Sequence, residues 1–193
     1  MTDTRERLIE AATRRFYRDG FRNTGLDAIL TDVGISKTAF YKHFESKDAL
    51  MAGVLEEHDA FLQRQFREIV KERGGRSAVG QLRAMMDVVH EFISDQDFHG
   101  CIFVNAAMEF PLPHDPIHKA ALRHKRAIED FAFELAERAG AKAPAALAEE
   151  LCMLIEGAYV TRAVTGDPAS IAIARRLADQ IFDRHLPPVA QPT

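Results

Sequence analysis

The sequence predicts an all-α protein, and three observations support that fold class. Apolar residues recur every three or four positions along most of the 193-residue chain, as they do on one face of a helix. Serine, aspartate or proline stands where these segments begin, and glycine stands where several of them end, which is typical of helix boundaries. No segment alternates apolar and polar residues as a half-buried strand does.

The first helix is delimited by its own residues. Asp3 and Glu6 have the spacing of a capping box at its start, and Gly20 ends it because glycine tolerates a positive φ. Thr24 and Asp27 form a similar pair before the next apolar run, so we expect a second box there.

A glycine corner follows the second helix. Gly34 ends that helix, Ser36 caps another short helix, and Ser46 caps the long helix after it. Three helix starts in so short a stretch exclude a single rod. The order of cap, glycine turn, cap and aromatic anchor predicts a helix-turn-helix, a motif whose second helix lies in the major groove of DNA.

Longer helices account for the rest of the chain. The helix after Ser46 continues to about Arg73, and Ser77 caps the next one. The apolar face of that helix is predicted to be Leu82, Met85, Val89 and Phe92. Later helices are expected over residues 101–110 and 117–140, and from Pro144 and Pro168 onward.

The second short helix carries basic and hydrogen-bonding side chains on its expected outer side. Thr38 and Ala39 are short enough to let a helix enter the groove, while Tyr41 and His43 are suited to bonding phosphates from its rim. Phe40 is expected to face the core instead. The predicted DNA-contacting residues are Arg22, Thr24, Ser36, Lys37, Thr38, Ala39, Tyr41, Lys42, His43 and Lys47.

This N-terminal stretch resembles the TetR family of bacterial transcriptional repressors. The matching run is Thr24, Ile29, Gly34, Ile35, Ser36, Phe40, Tyr41, His43, Phe44, Ser46, Lys47, Asp48 and Leu50. The likeness covers roughly residues 5–50 closely, and the segments from Gly100 and His124 more loosely. Leu30 and Val33 depart from it, because the family usually has alanine at both positions, on the buried side of the helix.

Two functional domains and a tail are expected. Residues 1–50 form the three-helix DNA-binding domain, residues 51–187 the helical ligand-binding and dimerisation domain, and residues 188–193 a flexible tail. The last two helices are apolar on more than one side, so each needs a second partner. We expect a four-helix homodimer interface, which the resemblance also implies, and a near-palindromic double-stranded operator.

Charge and cysteine content restrict the class of protein. The net charge is −4, with nine Lys/Arg and eight Asp/Glu in residues 1–50 against sixteen and twenty-one in the remainder. DNA binding must therefore rely on a local basic face. The charged, amphipathic N-terminus does not resemble a signal peptide, and no stretch looks able to span a membrane. We expect a cytoplasmic protein with reduced thiols at Cys101 and Cys152 and no membrane partner.

Residues 76–165 are expected to enclose a cavity for a small organic effector. A mostly apolar pocket with a few polar groups is how such sites are built. The predicted effector-binding residues are Met85, Met86, His90, Phe103, Asn105, Met108, Glu109, Phe110, His124, Glu156 and Tyr159. A largely apolar effector would release the repressor from DNA by shifting its conformational equilibrium, with the long helix after Ser46 as the expected transmitter by analogy.

Three alternatives stay open. An enzyme is disfavoured because no common nucleotide-binding, hydrolase or zinc-protease motif occurs, so no catalytic residue or cofactor is expected. A metal sensor has weak support from His114 and His118 with His99 and Cys101 upstream, because Pro116 interrupts the helix that would align the pair. A helical scaffold that retains the DNA-binding fold is the third.

Overall fold

A computed structural model describes residues 3–167 and 169–187. These residues contain helices and no strand, which confirms the predicted fold class. The expectations for Pro168 and for the tail lie outside the described residues. The helices are α1 (Thr4–Asp19), α2 (Leu26–Val33), α3 (Lys37–Phe40), α4 (Lys47–Gly74), α5 (Ala78–Ser94), α6 (Ile102–Glu109), α7 (Pro116–Arg138), α8 (Pro144–Thr165) and α9 (Ala169–His185).

Most of the predicted caps are present. Asp3 and Glu6 form their capping box, and Gly34 adopts the left-handed conformation, with φ 73° and ψ 40°. The Ser36 hydroxyl accepts the Ala39 N–H at 3.2 Å, and the Ser46 hydroxyl accepts the Ala49 N–H at 3.0 Å. Local sequence therefore sets where α1, α3 and α4 begin and where α2 ends.

The capping box predicted for α2 is wrong. Gly25 occupies the N-cap position and makes no side-chain cap bond. Thr24 is 3% exposed, and its hydroxyl donates to the Gly20 carbonyl at 2.7 Å. The hydroxyl closes the turn between α1 and α2, so it is not available to the first N–H groups of α2.

The chain divides into two compact units. The first contains the chain up to Phe61 together with Cys101–His124, and the second contains Leu62–Gly100 together with the chain from Lys125 onward. The first unit therefore groups α6 with the three N-terminal helices, whereas the functional division predicted at residue 50 follows the chain. Its core contains fully buried aromatic side chains, with the Phe16 and Phe21 rings stacked at 4.8 Å.

The second unit has a larger apolar core, built from α5, the later turns of α4 and α7, and α8 and α9. Leu82, Met85 and Val89 lie in this core, as the periodicity predicts. The prediction that Phe92 lies on the same face is wrong, because its side chain is 38% exposed and the neighbouring Ile93 is buried instead. At the last turn of a helix, the packing of neighbours decides which of two adjacent apolar residues is covered.

Candidate nucleic-acid interface

The short helix α3 is fixed from its inner side. Phe40 is fully buried and stacks on Phe44, with ring centroids 5.9 Å apart. Leu30 and Val33 of α2 are also buried, as expected for the two positions that depart from the family pattern. These apolar anchors leave the opposite side of α3 and the turn after it open to solvent.

The exposed side carries most of the predicted DNA-contacting residues. We call it the recognition face, and its residues are Ser36, Lys37, Thr38, Tyr41, Lys42 and His43, all exposed. Tyr41 keeps 58% of its surface accessible, which is unusual for a large aromatic side chain. Ala39 is half-buried beside this face. Ammonium groups, hydroxyls and an imidazole on α3 and the turn after it are suited to phosphate oxygens and base edges.

Lys37 is held by a neighbouring carboxylate. Its ammonium lies 2.8 Å from Asp27 Oδ1, and both side chains are more than half exposed. The hydrogen bond to Asp27 and its negative charge raise the pKa of Lys37, so the side chain is charged at neutral pH. An exposed pair of this kind contributes little to stability, so a phosphate can replace the carboxylate.

Three predicted DNA contacts are engaged elsewhere. The Arg22 guanidinium donates to the Glu109 carbonyl at 2.9 Å and lies over the Phe110 ring. The Lys47 ammonium donates to the Phe21 carbonyl at 2.7 Å, and partial burial lowers its pKa. Together with the buried Thr24, these side chains hold the turn between α1 and α2, and their contact with DNA stays a prediction.

The effector candidates of the first unit separate into two groups. Phe103 is buried and stacks on the His124 ring, with centroids 3.7 Å apart, and His124 Nδ1 lies 2.7 Å from Asp59. Burial lowers the pKa of the nearby His58, and the proximity of His124 adds to the effect. Asn105 is half-buried on the same helix as Phe103.

The other group lies at the end of α6. Met108 is 76% exposed, so it does not line an enclosed cavity in this unit. Glu109 accepts two backbone N–H groups of the α1–α2 turn, and the Phe110 ring packs edge-on against Phe21 at 6.4 Å. These contacts give Glu109 and Phe110 a role in holding the turn, which sequence reasoning missed.

In the second unit the effector candidates are partly core residues. Met85 and Met86 are buried, and Glu156 forms an ion pair with Lys125 at 2.7 Å. The Tyr159 ring lies 5.4 Å from that of Phe98. His90 differs from them, because its Nδ1 is buried and has no hydrogen-bond partner within the described part of the chain. Such an atom is a candidate for a polar contact with a ligand.

A groove of about 730 Å³ lies along α8 and α9, and none of the eleven effector candidates lines it. Its neighbourhood exposes large apolar side chains, which we call the α8–α9 face: Met153, Val160, Val164, Ile173 and Leu177. Gly157 and Ala158 also line the groove, so a second helix can approach closely there. At one end, Arg184 forms an ion pair with Glu150 at 2.5 Å.

The described residues contain neither a metal-binding cluster nor a membrane-spanning helix. Among residues 3–167 and 169–187, no group of three or more His, Cys, Asp or Glu side chains could hold a metal ion. The sequence offered His99, Cys101, His114 and His118 as possible metal ligands. Of these, His118 has its Nδ1 2.9 Å from the Phe110 carbonyl. No helix in the described ranges is long and apolar enough to cross a bilayer.

Sequence profiles of two domain families match the chain. A profile described as bacterial regulatory proteins, tetR family, matches residues 8–54. A second profile, described as tetracyclin repressor-like, C-terminal domain, matches residues 78–178. The two matches together include the recognition face and most of the second unit.

Individual relatives agree with the profiles. The chain is similar to the HTH-type transcriptional regulator YjdC of Escherichia coli strain K12, with 25% identity over 92% of this chain and 93% of that protein. It is 28% identical to the HTH-type transcriptional repressor DhaR of Mycobacterium sp. strain GP1, over 63% of this chain and 60% of DhaR. A crystal structure of a TetR-family transcriptional regulator from Streptomyces coelicolor matches with a TM-score of 0.84 and 31% identity, over 93% of this chain and 94% of that one.

Proposed function

The chain belongs to the TetR family of bacterial regulatory proteins and is a DNA-binding transcriptional regulator rather than an enzyme, and we propose that it acts as an effector-released repressor. Regulators of this family bind operator DNA and act as dimers. We propose repression rather than activation because some relatives of this chain are named transcriptional repressors. Its place of action is the cytoplasm, where a bacterial operator lies.

One observation supports DNA binding by this chain more than any other. α3 buries Phe40 completely, while Lys37 and Thr38 of α3 and Lys42 of the turn after it are exposed to solvent. The lysines neutralise phosphates and the short Thr38 contacts base edges in the major groove. Tyr41 and His43 bond phosphates at the rim of the groove. The recognition face thus combines affinity from charge with sequence preference from Thr38 and Ala39.

The dimer in this proposal forms through the α8–α9 face. Five large apolar side chains are exposed there, and Gly157 allows close approach of a second copy. A twofold dimer presents two copies of α3 to half-sites whose centres are about 34–36 Å apart, or a multiple of that distance. The operator is then near-palindromic, because its symmetry mirrors that of the protein.

The effector in this proposal is a small, largely apolar organic molecule. Its site uses the polar groups that lie among apolar side chains, and His90 Nδ1 is the best supported of them because it is buried without a hydrogen-bond partner among the described residues. Binding releases DNA only if the effector has unequal affinity for the two conformations of the repressor. A coupling of about 1–3 kcal/mol is sufficient for measurable derepression.

The decisive experiment is selection of bound sites from random double-stranded DNA with the full chain. We expect enrichment of an inverted repeat, and weaker binding as salt is raised. A compound screen for loss of that complex then identifies the effector, and a His90→Phe variant tests its proposed contact. Failure to enrich any sequence at low and moderate salt would contradict the proposal and favour a scaffold that retains the fold.

A further inference from the structure

Glu109 makes an unusual set of bonds for a residue at the end of a helix. Its Oε1 accepts the Phe21 N–H at 2.9 Å, and its Oε2 accepts the Arg22 N–H at 2.7 Å. The two amides belong to the turn between α1 and α2, 88 and 87 residues away along the chain. Bonds from backbone amides to an ionised carboxylate are shorter and stronger than neutral ones.

Arg22 also donates a hydrogen bond to the end of α6. Its Nε donates to the backbone carbonyl of Glu109 at 2.9 Å, and its guanidinium lies 4.7 Å from the centroid of the Phe110 ring. The contact between the turn and α6 is therefore reciprocal, because each side supplies donors or acceptors from both side chain and backbone.

The turn itself is shaped for this contact. Gly20 has a φ of 87°, and a Cβ at this position would lie 3.1 Å from Glu109 Oε1. Glycine is thus favoured by the positive φ, and any added Cβ would push the Glu109 carboxylate away by a few tenths of an ångström. The Phe21 carbonyl, which belongs to the same peptide unit as the Arg22 N–H, accepts a hydrogen bond from the Lys47 ammonium at 2.7 Å. Residues on α4 and α6 hold the turn from two directions.

Stability of α6 alone does not explain a glutamate at this position. Glu109 is the last residue of α6, where the helix dipole disfavours a carboxylate. Its two amide partners offset that effect only while the α1–α2 turn stays against α6. Because only three residues lie between Arg22 and Leu26, where α2 begins, the direction of the turn sets the start of the helix-turn-helix.

We propose that Glu109 is a positioning residue for DNA binding, which holds the α1–α2 turn, and with it the start of the helix-turn-helix, in the orientation that binds the operator. This inference rests on the proposed function, since it concerns binding to an operator. The two oxygens of Glu109 act together, because the Phe21 and Arg22 amides share the one carboxylate.

The test uses two variants at Glu109 and a matched control. Glu109→Gln keeps the length of the side chain but replaces one acceptor oxygen with an NH₂ group, which cannot accept from an amide. Glu109→Asp keeps the charge and shortens the side chain by one methylene. Glu10→Gln removes the same charge from an exposed glutamate of α1 in the same unit. For each, hydrogen exchange of the Phe21 and Arg22 amides, thermal unfolding and affinity for the selected operator are measured.

In Glu109→Gln we expect faster exchange at these two amides and operator affinity lower by about tenfold, with little change at amides elsewhere. Glu109→Asp should keep part of the amide protection and part of the operator affinity. Glu10→Gln should neither speed the exchange of these amides nor lower the affinity. If Glu109→Gln does not fold, Glu109→Asp still gives both readouts. Wild-type affinity in a variant whose two amides exchange faster would overturn the proposal.

The two proposals fail in different ways. If the wild-type protein selects no DNA, the proposed function is wrong, whatever the amide exchange shows. If the wild type binds its operator and Glu109→Gln binds it equally well, the regulator stands and only the role of Glu109 is lost.

Discussion

The two exposed faces of this chain differ in the groups that they leave uncovered. The recognition face presents lysine, threonine, tyrosine and histidine side chains around a short helix. The α8–α9 face presents methionine, valine, isoleucine and leucine beside a groove of about 730 Å³. Cationic and hydroxyl groups are well hydrated and also bind phosphates favourably. An apolar surface lowers its free energy only when another surface displaces water from it.

The comparison shows that exposure alone does not identify a partner. Tyr41 is 58% exposed and Met153 is 73% exposed, yet their surroundings favour different kinds of surface. Around Tyr41 the neighbours are charged or hydroxylated, which suits a polyanion. Around Met153 most groove-lining side chains are small or apolar, with the Arg184–Glu150 ion pair at one end, which suits the same face of a second copy. The variants below test this assignment of one partner to each face.

The largest effect is expected from Met153→Glu. A buried, unpaired carboxylate at the interface is costly, so the variant should sediment as a monomer at micromolar concentration. Because a monomer loses simultaneous binding to two half-sites, its operator affinity should fall by roughly 100-fold or more. Met108→Glu is the matched control, since Met108 is a similarly exposed methionine outside the α8–α9 face. A dimeric Met153→Glu protein would remove this face as the dimer interface.

The next effect concerns charge on the recognition face. Lys42→Ala should weaken binding to operator and to random DNA by a similar factor, roughly tenfold in a dimer, and should reduce the salt dependence of log K by about 1 per lost contact. Thr38→Ala should instead change which base is preferred beside it. Lys71→Ala removes the same charge from an exposed lysine of α4 and should leave the salt dependence nearly unchanged. Equal losses on specific and random DNA for both Lys42→Ala and Thr38→Ala would contradict the division of roles.

A smaller effect is expected from the helix caps. Ser36 and Ser77 cap α3 and α5 through bonds to Ala39 N–H and Gly80 N–H, at 3.2 and 3.3 Å. Replacing either serine with alanine should lower the free energy of unfolding by about 1 kcal/mol. Only Ser36→Ala should also weaken operator binding, because α3 carries the recognition face. Denaturant titration and DNA-binding measurements on both variants separate stability from recognition.

The smallest effect concerns the two thiols. Burial raises the pKa of Cys152 to about 12, with the charges of Glu129 and Glu156 adding to it, while Cys101 is partly exposed. At pH 8 only about one Cys152 in ten thousand is a thiolate, so in the native protein a thiol reagent should label Cys101 first. Raising the pH toward 12 should increase labelling of Cys152 as long as the fold survives. Rapid labelling of a Cys101→Ser variant at pH 8 would contradict this order.

Much of the architecture was predictable because it depends on residues close together in sequence. A cap such as Ser36 needs only the amide three residues on, and the end of α2 needs only the left-handed conformation of Gly34. The recognition face was predictable for the same reason, because the position of Phe40 on a short helix fixes which side is buried. The family resemblance of the N-terminal stretch agreed with this local chemistry.

The errors and omissions arise where distant segments compete for the same group. Thr24 was expected to cap α2, but its hydroxyl bonds Gly20 in the turn that Glu109 also holds. The bond from the Lys47 ammonium to the Phe21 carbonyl was an omission, while a contact of Lys47 with DNA stays a prediction. The position of Glu109 after an apolar run indicated only that its carboxylate is unsuited to an apolar core. Only the fold identified its partners, because nothing in the sequence states which amides come within reach.

The sequence by itself determined the helical class, the caps and glycine turns, and the side chains offered by the recognition face, since each follows from backbone preferences and periodicity over a few residues. The sequence also predicted the second apolar side of α8 and α9. Tertiary structure alone decided that α6 joins the DNA-binding unit and that Glu109 holds the α1–α2 turn. These features depend on which surfaces meet after the chain has folded. Hydrogen-bond partners more than eighty residues apart are chosen by packing, and local propensity carries no information about them.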